Sequence, residues 1–361
     1  MEAIKSFIKR IVEIPTVSGY EKINAPKVLS ACTEYAGDVF TEARITSSGS
    51  IVLEKKCGKK NAKRLCFDAH LDTIGFAVSE ICERGFVRLA PLGGIDANIL
   101  PSSEIVIHGK QDIRAVFTSI PPHLSRSDNL PEVGELLCDT GLDDERLREL
   151  INVGTPCTFY PAFVSLLNNR ICCPGLDDKC CIAAIMQSAV LLQNIQLENT
   201  DVIFYLSSGE ERGGKGSHRM WEEIHPDACI VLDVNFAKEK QSIEGEYGKL
   251  GEGAMVSVSS VVNMEMTELV RKSATDNRLK LQTVCEMTST GTNADVCART
   301  GFGIAVAVLS IPLKYMHSFT ECISLDDVLQ AAQILSKTAE LYDKSPVGKP
   351  IYYKGGAAGE L

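Results

Sequence analysis

The feature that most constrains this chain is a series of short apolar runs in its second half, each separated from the next by a segment of helical period. Val202–Leu206, Cys229–Leu232 and Gly303–Ile311 have the length of strands and carry almost no polar residue. A strand that is apolar on both faces must be covered on both faces. The segments between and around these runs supply the cover. Asp177–Gln193 places Ile182, Ile185, Met186, Ala189 and Leu192 along one stripe, Trp221–Ile224 belongs to a helix, and Thr267–Asn277 and Leu325–Tyr342 are also helical in pattern. Strands and helices that alternate in this way predict an α/β fold, with a central sheet between helices on both faces.

The first seventy or so residues fit the same layers. Ile4–Val12 has helical periodicity and is ended by Pro15 and Gly19, and Glu21–Ala36 resumes it. Ser50–Lys55 and Arg64–Ala69 are strand-like, and the second stops at His70-Leu71-Asp72. From Gly75 to Phe163 the texture changes. Short strand patterns at Gly75–Ile81, Gly85–Leu89, Ser103–Ile107 and Ile113–Ser119 are separated by turns, with a single helix at Asp143–Ile151. A β-rich, barrel-like domain of about ninety residues is therefore expected inside the chain. The expected division is a first catalytic part at 1–73, the inserted domain at 74–168, a second catalytic part at 169–345, and a loose or edge-forming tail at 346–361.

Composition removes several function classes. The net charge of −10 argues against nucleic acid as a partner, since phosphate binding needs a basic face. No eighteen apolar residues run together, so no membrane span is expected. Met1–Glu13 is too charged for a signal peptide, which makes the cytoplasm the expected location. The 14 cysteines include no CxxC pair, and several lie in apolar runs, so they are expected to be reduced and buried.

The chemistry is carried by where histidines and carboxylates fall. His70 and Asp72 follow one strand, Glu210 and Glu211 follow a second, Asp233 ends a third, His317 lies past a fourth, and Asp177 opens a helix. In an open α/β sheet, ligands bind at the carboxyl ends of the strands. Each piece alone has an ordinary explanation: a packed histidine, a solvated glutamate pair, or an Asp177-Asp178 helix cap. Together they would crowd carboxylates that cannot all stay ionised without cations. Divalent metal ions relieve that conflict. Imidazole and carboxylate without thiolate suits zinc, cobalt or manganese, and two histidines with three carboxylates suit a pair of metals that share a bridging carboxylate.

In these segments the chain resembles the cocatalytic aminopeptidases that include glutamyl aminopeptidases, deblocking aminopeptidases and the tetrahedral (TET) peptidases, some once labelled endoglucanases. The matching segments are Val17-Ser18-Gly19-Tyr20-Glu21, His70-Leu71-Asp72-Thr73-Ile74-Gly75, Pro121-Pro122-His123-Leu124, Gly175-Leu176-Asp177-Asp178-Lys179, Glu210-Glu211, Val231-Leu232-Asp233-Val234 and Tyr315-Met316-His317-Ser318. The resemblance implies a phosphorylase/hydrolase-like zinc-peptidase fold and two divalent metals per subunit. Asp177 would bridge them, with His70 and Asp233 completing one site and Glu211 and His317 the other. It further implies Glu210 as general base, Asp72 as the carboxylate that orients His70, and Asp178 as support for Asp177. Its implied substrates are peptides with a free N-terminus, and its implied assembly is a homo-oligomer built from dimers, up to a dodecamer, through the inserted domain.

Several positions depart from the family pattern, namely Thr73, Lys179, Arg212–Gly216, Lys314 and Thr292–Asp295. They bear on substrate preference and loop shape, and leave the metal set complete. Gly291–Asp295 is expected to shape the substrate pocket. His108 reads as a turn residue, and His123 as part of a loop. A related amidase or deacylase shares the same chemistry. A metal-free glycosidase using Glu210 and Asp233 would leave both histidines unexplained, and one tryptophan with 6% aromatics offers sugar rings few stacking surfaces.

Overall fold

A computed structural model describes residues 1–120, 123, 132–239, 247–301 and 303–347, together with the backbone of 353–354 and 357–358. Two amphipathic helices, α1 (Glu2–Val12) and α2 (Glu21–Ala36), precede the strands β1 (Glu42–Ile45), β2 (Ile51–Lys55) and β3 (Lys63–His70). In β3, Leu65, Phe67 and Ala69 join the core on one face of the sheet, while Cys66 faces a second core on the other. This period-2 division of a continuously apolar strand is what a sheet buried on both sides requires.

The chain then leaves the sheet. β4 (Gly75–Ile81), β5 (Phe86–Leu92), β6 (Glu104–His108), β7 (Asp112–Phe117) and β8 (Leu137–Asp139) are followed by helix α3 (Asp144–Leu150) and strand β9 (Pro156–Phe159). The six strands close into an antiparallel barrel of order β4-β5-β8-β7-β6-β9. Closure leaves no free sheet edge. Strand β7 shows the pattern behind it: Ile113, Ala115 and Phe117 are buried while the residues between them are exposed. Phe76 packs against Phe117 and Phe159, with ring centroids 5.4 Å apart in both pairs. Asp143 caps α3 by accepting from Arg146 N at 2.8 Å. His108, expected as a turn residue, ends β6 and bonds Asp112 and Thr158 at 2.9 Å each.

After the barrel, β10 (Val164–Ser165) pairs with β11 (Arg170–Cys172) and not with a barrel strand. The α/β layers then resume with α4 (Leu176–Leu192), β12 (Thr200–Ser207), α5 (Lys215–His218), α6 (Met220–Ile224) and β13 (Ala228–Phe236). There follow β14 (Ala254–Val258), α7 (Met264–Asp276), β15 (Leu281–Cys285), α8 (Ala294–Cys297), β16 (Ala305–Leu313), β17 (Cys322–Ser324) and α9 (Leu325–Asp343). The eight-stranded sheet has the order β1-β2-β12-β3-β13-β16-β14-β15. Its centre, β12-β3-β13-β16, is parallel, while β2 and β14 are antiparallel to their inner neighbours, so the sheet is mixed. Helices α1, α4, α7 and α9 cover one face, and α6 and α8 the other. The fold class expected from the sequence is the one observed.

One local expectation is corrected. Asp233 does not end its strand, because β13 runs on to Phe236, held by β16 through the pair Phe236↔Leu313. What ends is its pairing with β3, whose last partner is Val231↔Asp68, so Asp233 sits where the two strands part. The ordinary helix-cap explanation for Asp177 and Asp178 does not hold: no side-chain cap bond is made, both have non-helical dihedrals, and Gly175 stands before them at φ 74°. The Pro121-Pro122-His123-Leu124 segment lies outside the described residues except for His123, which is exposed. Most of the 346–361 tail also lies outside them; the backbone of 353–354 pairs with 357–358.

Candidate active site

The parallel centre of the sheet brings its carboxyl ends to one rim, and the register sets which residues meet there. Ser207 pairs with His70, so β12 and β3 end level, and the Glu210–Arg212 turn rises beside His70. Asp233 on β13 is next across the sheet. His317 arrives from the loop after β16, at φ 58°, and Asp177 from the start of α4.

These side chains converge. Nε2 of His70 lies 3.0 Å from Asp177 Oδ1 and 3.9 Å from Asp233 Oδ1. On the other side of Asp177, Nε2 of His317 lies 3.3 Å from its Oδ2 and 3.6 Å from Glu211 Oε2. Two groups of candidate ligand atoms result, each within 4.8 Å of one another: His70, Asp177, Asp178 and Asp233, and Asp177, Glu211 and His317. Asp177 belongs to both. All the ligand residues expected from the sequence are brought together, and Glu210 stands beside them on the wall of the same cleft, whose volume is about 580 Å³.

The supports differ in detail from what the sequence led us to expect. His70 Nδ1 bonds the backbone oxygen of Asp72 at 2.9 Å, while the Asp72 carboxylate is 3.6 Å away. That carboxylate instead accepts from the backbone N–H groups of Glu210 and Glu211, at 2.9 and 3.1 Å. Asp72 therefore ties the His70 segment to the Glu210-Glu211 turn, using its main chain for one and its side chain for the other. Asp178 Oδ2 accepts from His70 N at 3.1 Å. Lys179, fully buried, donates to Thr16 Oγ1 at 2.5 Å and to Leu71 O at 2.8 Å, which pins the segment that carries His70 and Asp72.

Sequence inspection missed Glu321. It is buried, and its two oxygens accept from Asp177 N at 3.1 Å and His317 N at 3.0 Å, so one carboxylate holds the backbones of two ligand candidates. The available signal was a lone acid directly before the apolar run Cys322-Ile323. Asn293 was also misjudged as pocket lining alone. Its Nδ2 donates to Asp68 Oδ2 at 3.0 Å and Ser207 Oγ at 2.8 Å, beneath the site. Thr290, Gly291 and Thr292 do line the cleft, and Asp295 folds that loop by accepting from Thr290 N and Gly291 N. The barrel reaches the site through Gly93-Gly94. A Cβ on Gly94 would lie 3.0 Å from His317 Nδ1, and one on Gly93, at φ 98°, 2.5 Å from Ile74. A side chain at Gly93 would be strained, and one at Gly94 would require His317 to shift.

The electrostatics show what this arrangement lacks. Burial, reinforced by Asp177, pushes Glu211 up to about 8. Burial and then Asp178 raise Asp233 well above the carboxylate range, burial raises Asp178 likewise, and burial raises Glu210, with Asp72 and Asp177 adding to it. Burial opposes the charge on His317, but contact with Asp177 and Glu211 overrides it and lifts the imidazole to about 9. His70 is raised in the same way, chiefly by Asp177 and Asp72 working against burial. Glu211 Oε1 and Asp178 Oδ1 are buried with no hydrogen-bond partner. Crowded carboxylates with unpartnered oxygens and imidazoles that lack neutral surroundings fit divalent cations, which would satisfy all of these at once.

The fold and this cluster define a metal-dependent aminopeptidase. The chain belongs to the M42 glutamyl aminopeptidase family, whose pattern it matches over residues 49–334. It is similar to the lysyl aminopeptidase of Pyrococcus furiosus, 29% identical over 349 residues spanning 94% of this chain and 98% of that one. It is also similar to the glutamyl aminopeptidase of Lactococcus lactis, 23% identical over 91% of this chain and 93% of that one. Among solved structures, an aminopeptidase from the archaeon Desulfurococcus kamchatkensis superposes with a TM-score of 0.88 at 25% identity, covering 98% of this chain and 99% of that one. The Pyrococcus horikoshii TET1 peptidase, described as assembling into a tetrahedron or a large octahedral shell, superposes at 0.80 and 25% identity over 93% and 99% of the two chains. Among the described residues, no helix is long and apolar enough to cross a membrane.

Proposed function

We propose that this chain removes N-terminal residues from peptides with two divalent cations, zinc or cobalt or else manganese. His70 and Asp233 would hold one, Glu211 and His317 the other, and Asp177 would bridge them. The observation that carries this assignment is the shared position of Asp177: its two oxygens face His70 and His317 separately, at 3.0 and 3.3 Å, and each side is completed by another carboxylate. Bound there, the cations would supply Lewis acidity, lowering the pKa of an attacking water and polarising the scissile carbonyl.

The chain's own groups do the rest. Glu210 is held by its backbone on Asp72, next to a ligand yet free in its side chain to face the cleft. Its carboxylate would take the proton from the attacking water and return it to the departing amine. Burial already raises its proton affinity, which suits a group that must accept and then give up a proton. Asp72, Asp178 and Glu321 would keep the ligands in place through their backbone N–H groups. The acidic rim would receive a free amino terminus and so restrict cleavage to chain ends.

The assembly proposed is a homo-oligomer based on dimers and extending to a dodecamer, supported by the shells described for its TET neighbours. A cytoplasmic location is supported by 14 free cysteines, all but one of them wholly or partly buried, which persist where thiols stay reduced.

The test is hydrolysis of aminoacyl chromogenic amides by metal-loaded protein, before and after chelation, with Glu210→Gln and an N-acetylated substrate as controls. Activity abolished by chelation, restored by metal and absent on the blocked substrate is expected. Undiminished turnover after complete metal removal, or more than trace activity in Glu210→Gln, would end the assignment.

A further inference from the structure

Two cysteines face each other across the strand pair next to Glu321. Cys172 on β11 is the register partner of Cys322 on β17. The pair is flanked by Cys173 N–H bonded to Glu321 O at 3.1 Å and by Leu325 N–H bonded to Asn169 O at 2.9 Å. Cys322 directs its own N–H and C=O to Lys314, on the other side of β17, at 3.0 Å each. Cys172 and Cys322 are therefore a non-hydrogen-bonded antiparallel pair, the kind whose Cα atoms come closest, at about 4.5 Å. That separation lies inside the range a disulfide spans, roughly 4.4–6.8 Å. The two thiols already act on one another, and both are free.

Their surroundings make one of them reachable. Ile171 and Ile323, the neighbours in each strand, belong to the main core. Alternation turns Cys172 and Cys322 to the opposite face of this small sheet. There Cys172 is half-buried and lines a pocket of about 440 Å³ with Tyr160, Val164 and Phe319. Cys66, Cys229 and Cys297 also act on one another, but all three are fully buried. A dissolved reagent can reach Cys172 and not them.

We propose that Cys172 and Cys322 are a redox-active pair that takes low-molecular-weight disulfides and, once joined, reversibly lowers hydrolysis at the neighbouring site. The thiolate of Cys172 attacks one sulfur of the small disulfide and expels the other as a thiolate. The thiolate of Cys322 then attacks the Cys172 sulfur and expels the second. The protein gives up two electrons and two protons, and the small disulfide becomes two thiols. Burial and the Cys322 thiol push Cys172 up to about 12, so capture is slow at neutral pH and quickens as pH rises. Directly opposed residues hold their Cβ atoms roughly 4.5–5.5 Å apart, and a disulfide holds them at about 3.8 Å. Closure therefore draws the strands together beside Glu321, whose backbone oxygen is bonded to Cys173 and whose carboxylate holds Asp177 N and His317 N. The effect on hydrolysis rests on the aminopeptidase reading above; formation of the crosslink does not.

The experiment incubates metal-loaded protein with oxidised glutathione at neutral and mildly alkaline pH, then unfolds it, blocks the remaining thiols and maps its peptides by mass spectrometry. Hydrolysis of an aminoacyl amide and metal affinity are measured on the same samples. The wild type should yield a peptide that links Cys172 to Cys322, sooner at the higher pH. Its hydrolysis should fall roughly 10-fold, about the size of one displaced charge-assisted contact, and its metal binding should weaken. A dithiol reductant should reverse all three changes. Cys322→Ser should stop at a glutathione adduct on Cys172, and Cys172→Ser should keep its activity in the oxidant. A wild type in which both thiols remain open to blocking overturns the pair. A linked peptide with hydrolysis and metal affinity unchanged overturns its action on the site, as does equal inactivation of Cys172→Ser. Reduced protein that cleaves no amide refutes the aminopeptidase reading, while the linked peptide and the metal titration still decide the pair.

Discussion

Replacing Asp72 by asparagine separates its side-chain role from its main-chain role. The wild-type carboxylate is fully buried and accepts from Glu210 N and Glu211 N, while the backbone oxygen of Asp72 receives His70 Nδ1. Burial alone would raise its pKa, but the nearby His70 imidazole and the Glu210 amide hold it below the usual carboxylate value, so it is ionised at neutral pH. Asparagine keeps the shape and one acceptor. Its amide NH2 then faces a backbone N–H, and one charge-assisted bond is lost with a buried donor left unpaired. Loss of a hydrogen bond to a charged group amounts to about 1.5–3 kcal/mol, or roughly 10- to 150-fold. The displaced turn carries both Glu210 and Glu211, so kcat and the affinity of the Glu211–His317 metal position should fall together by that factor. His70 should keep its orientation, because the backbone contact is untouched. Steady-state kinetics on the best aminoacyl amide and calorimetric metal titration measure both quantities. Wild-type kcat with two unchanged metal affinities would refute the claim that this carboxylate positions the turn.

The remaining expectations concern the metal positions. Gly94→Ala should displace His317, whose Nδ1 would lie 3.0 Å from the new Cβ, so titration should show weaker binding at one position while circular dichroism stays unchanged. In the metal-free protein, His317 is lifted from 6.5 to about 9 by its acidic neighbours. A raised pKa stabilises the fold fully below the unfolded value of 6.5, and that contribution is lost as pH rises through about 9. The same proton must leave before a metal binds, so apparent metal affinity should climb across that window while apoprotein stability falls. Affinity that is flat with pH between these limits would contradict the imidazole as ligand.

Much of the fold was written in local pattern. β3, β12, β13 and β16 are apolar on both faces, and a strand of that kind has no stable place except inside a covered sheet. Helix α2 begins and ends where its periodicity does, at Glu21 and Ala36. The edges were silent for the converse reason. β1 is exposed or half-exposed along its length and β15 buries only Val284, so neither carries a hydrophobic signature. The ligand candidates were legible because each lies in or beside a strongly patterned element.

What only the tertiary structure decided is which group serves which. Glu321 accepts from a residue 144 positions earlier, and Asp72 from residues 138 and 139 positions later. Asp233 faces the rim because β3 stops pairing with β13 at Val231, not because its own strand ends. Sequence pattern determined the layers and delivered acids and imidazoles to one rim, because burial is a local demand on each strand. Hydrogen-bond partnership between distant backbones depends on the register in which those strands meet.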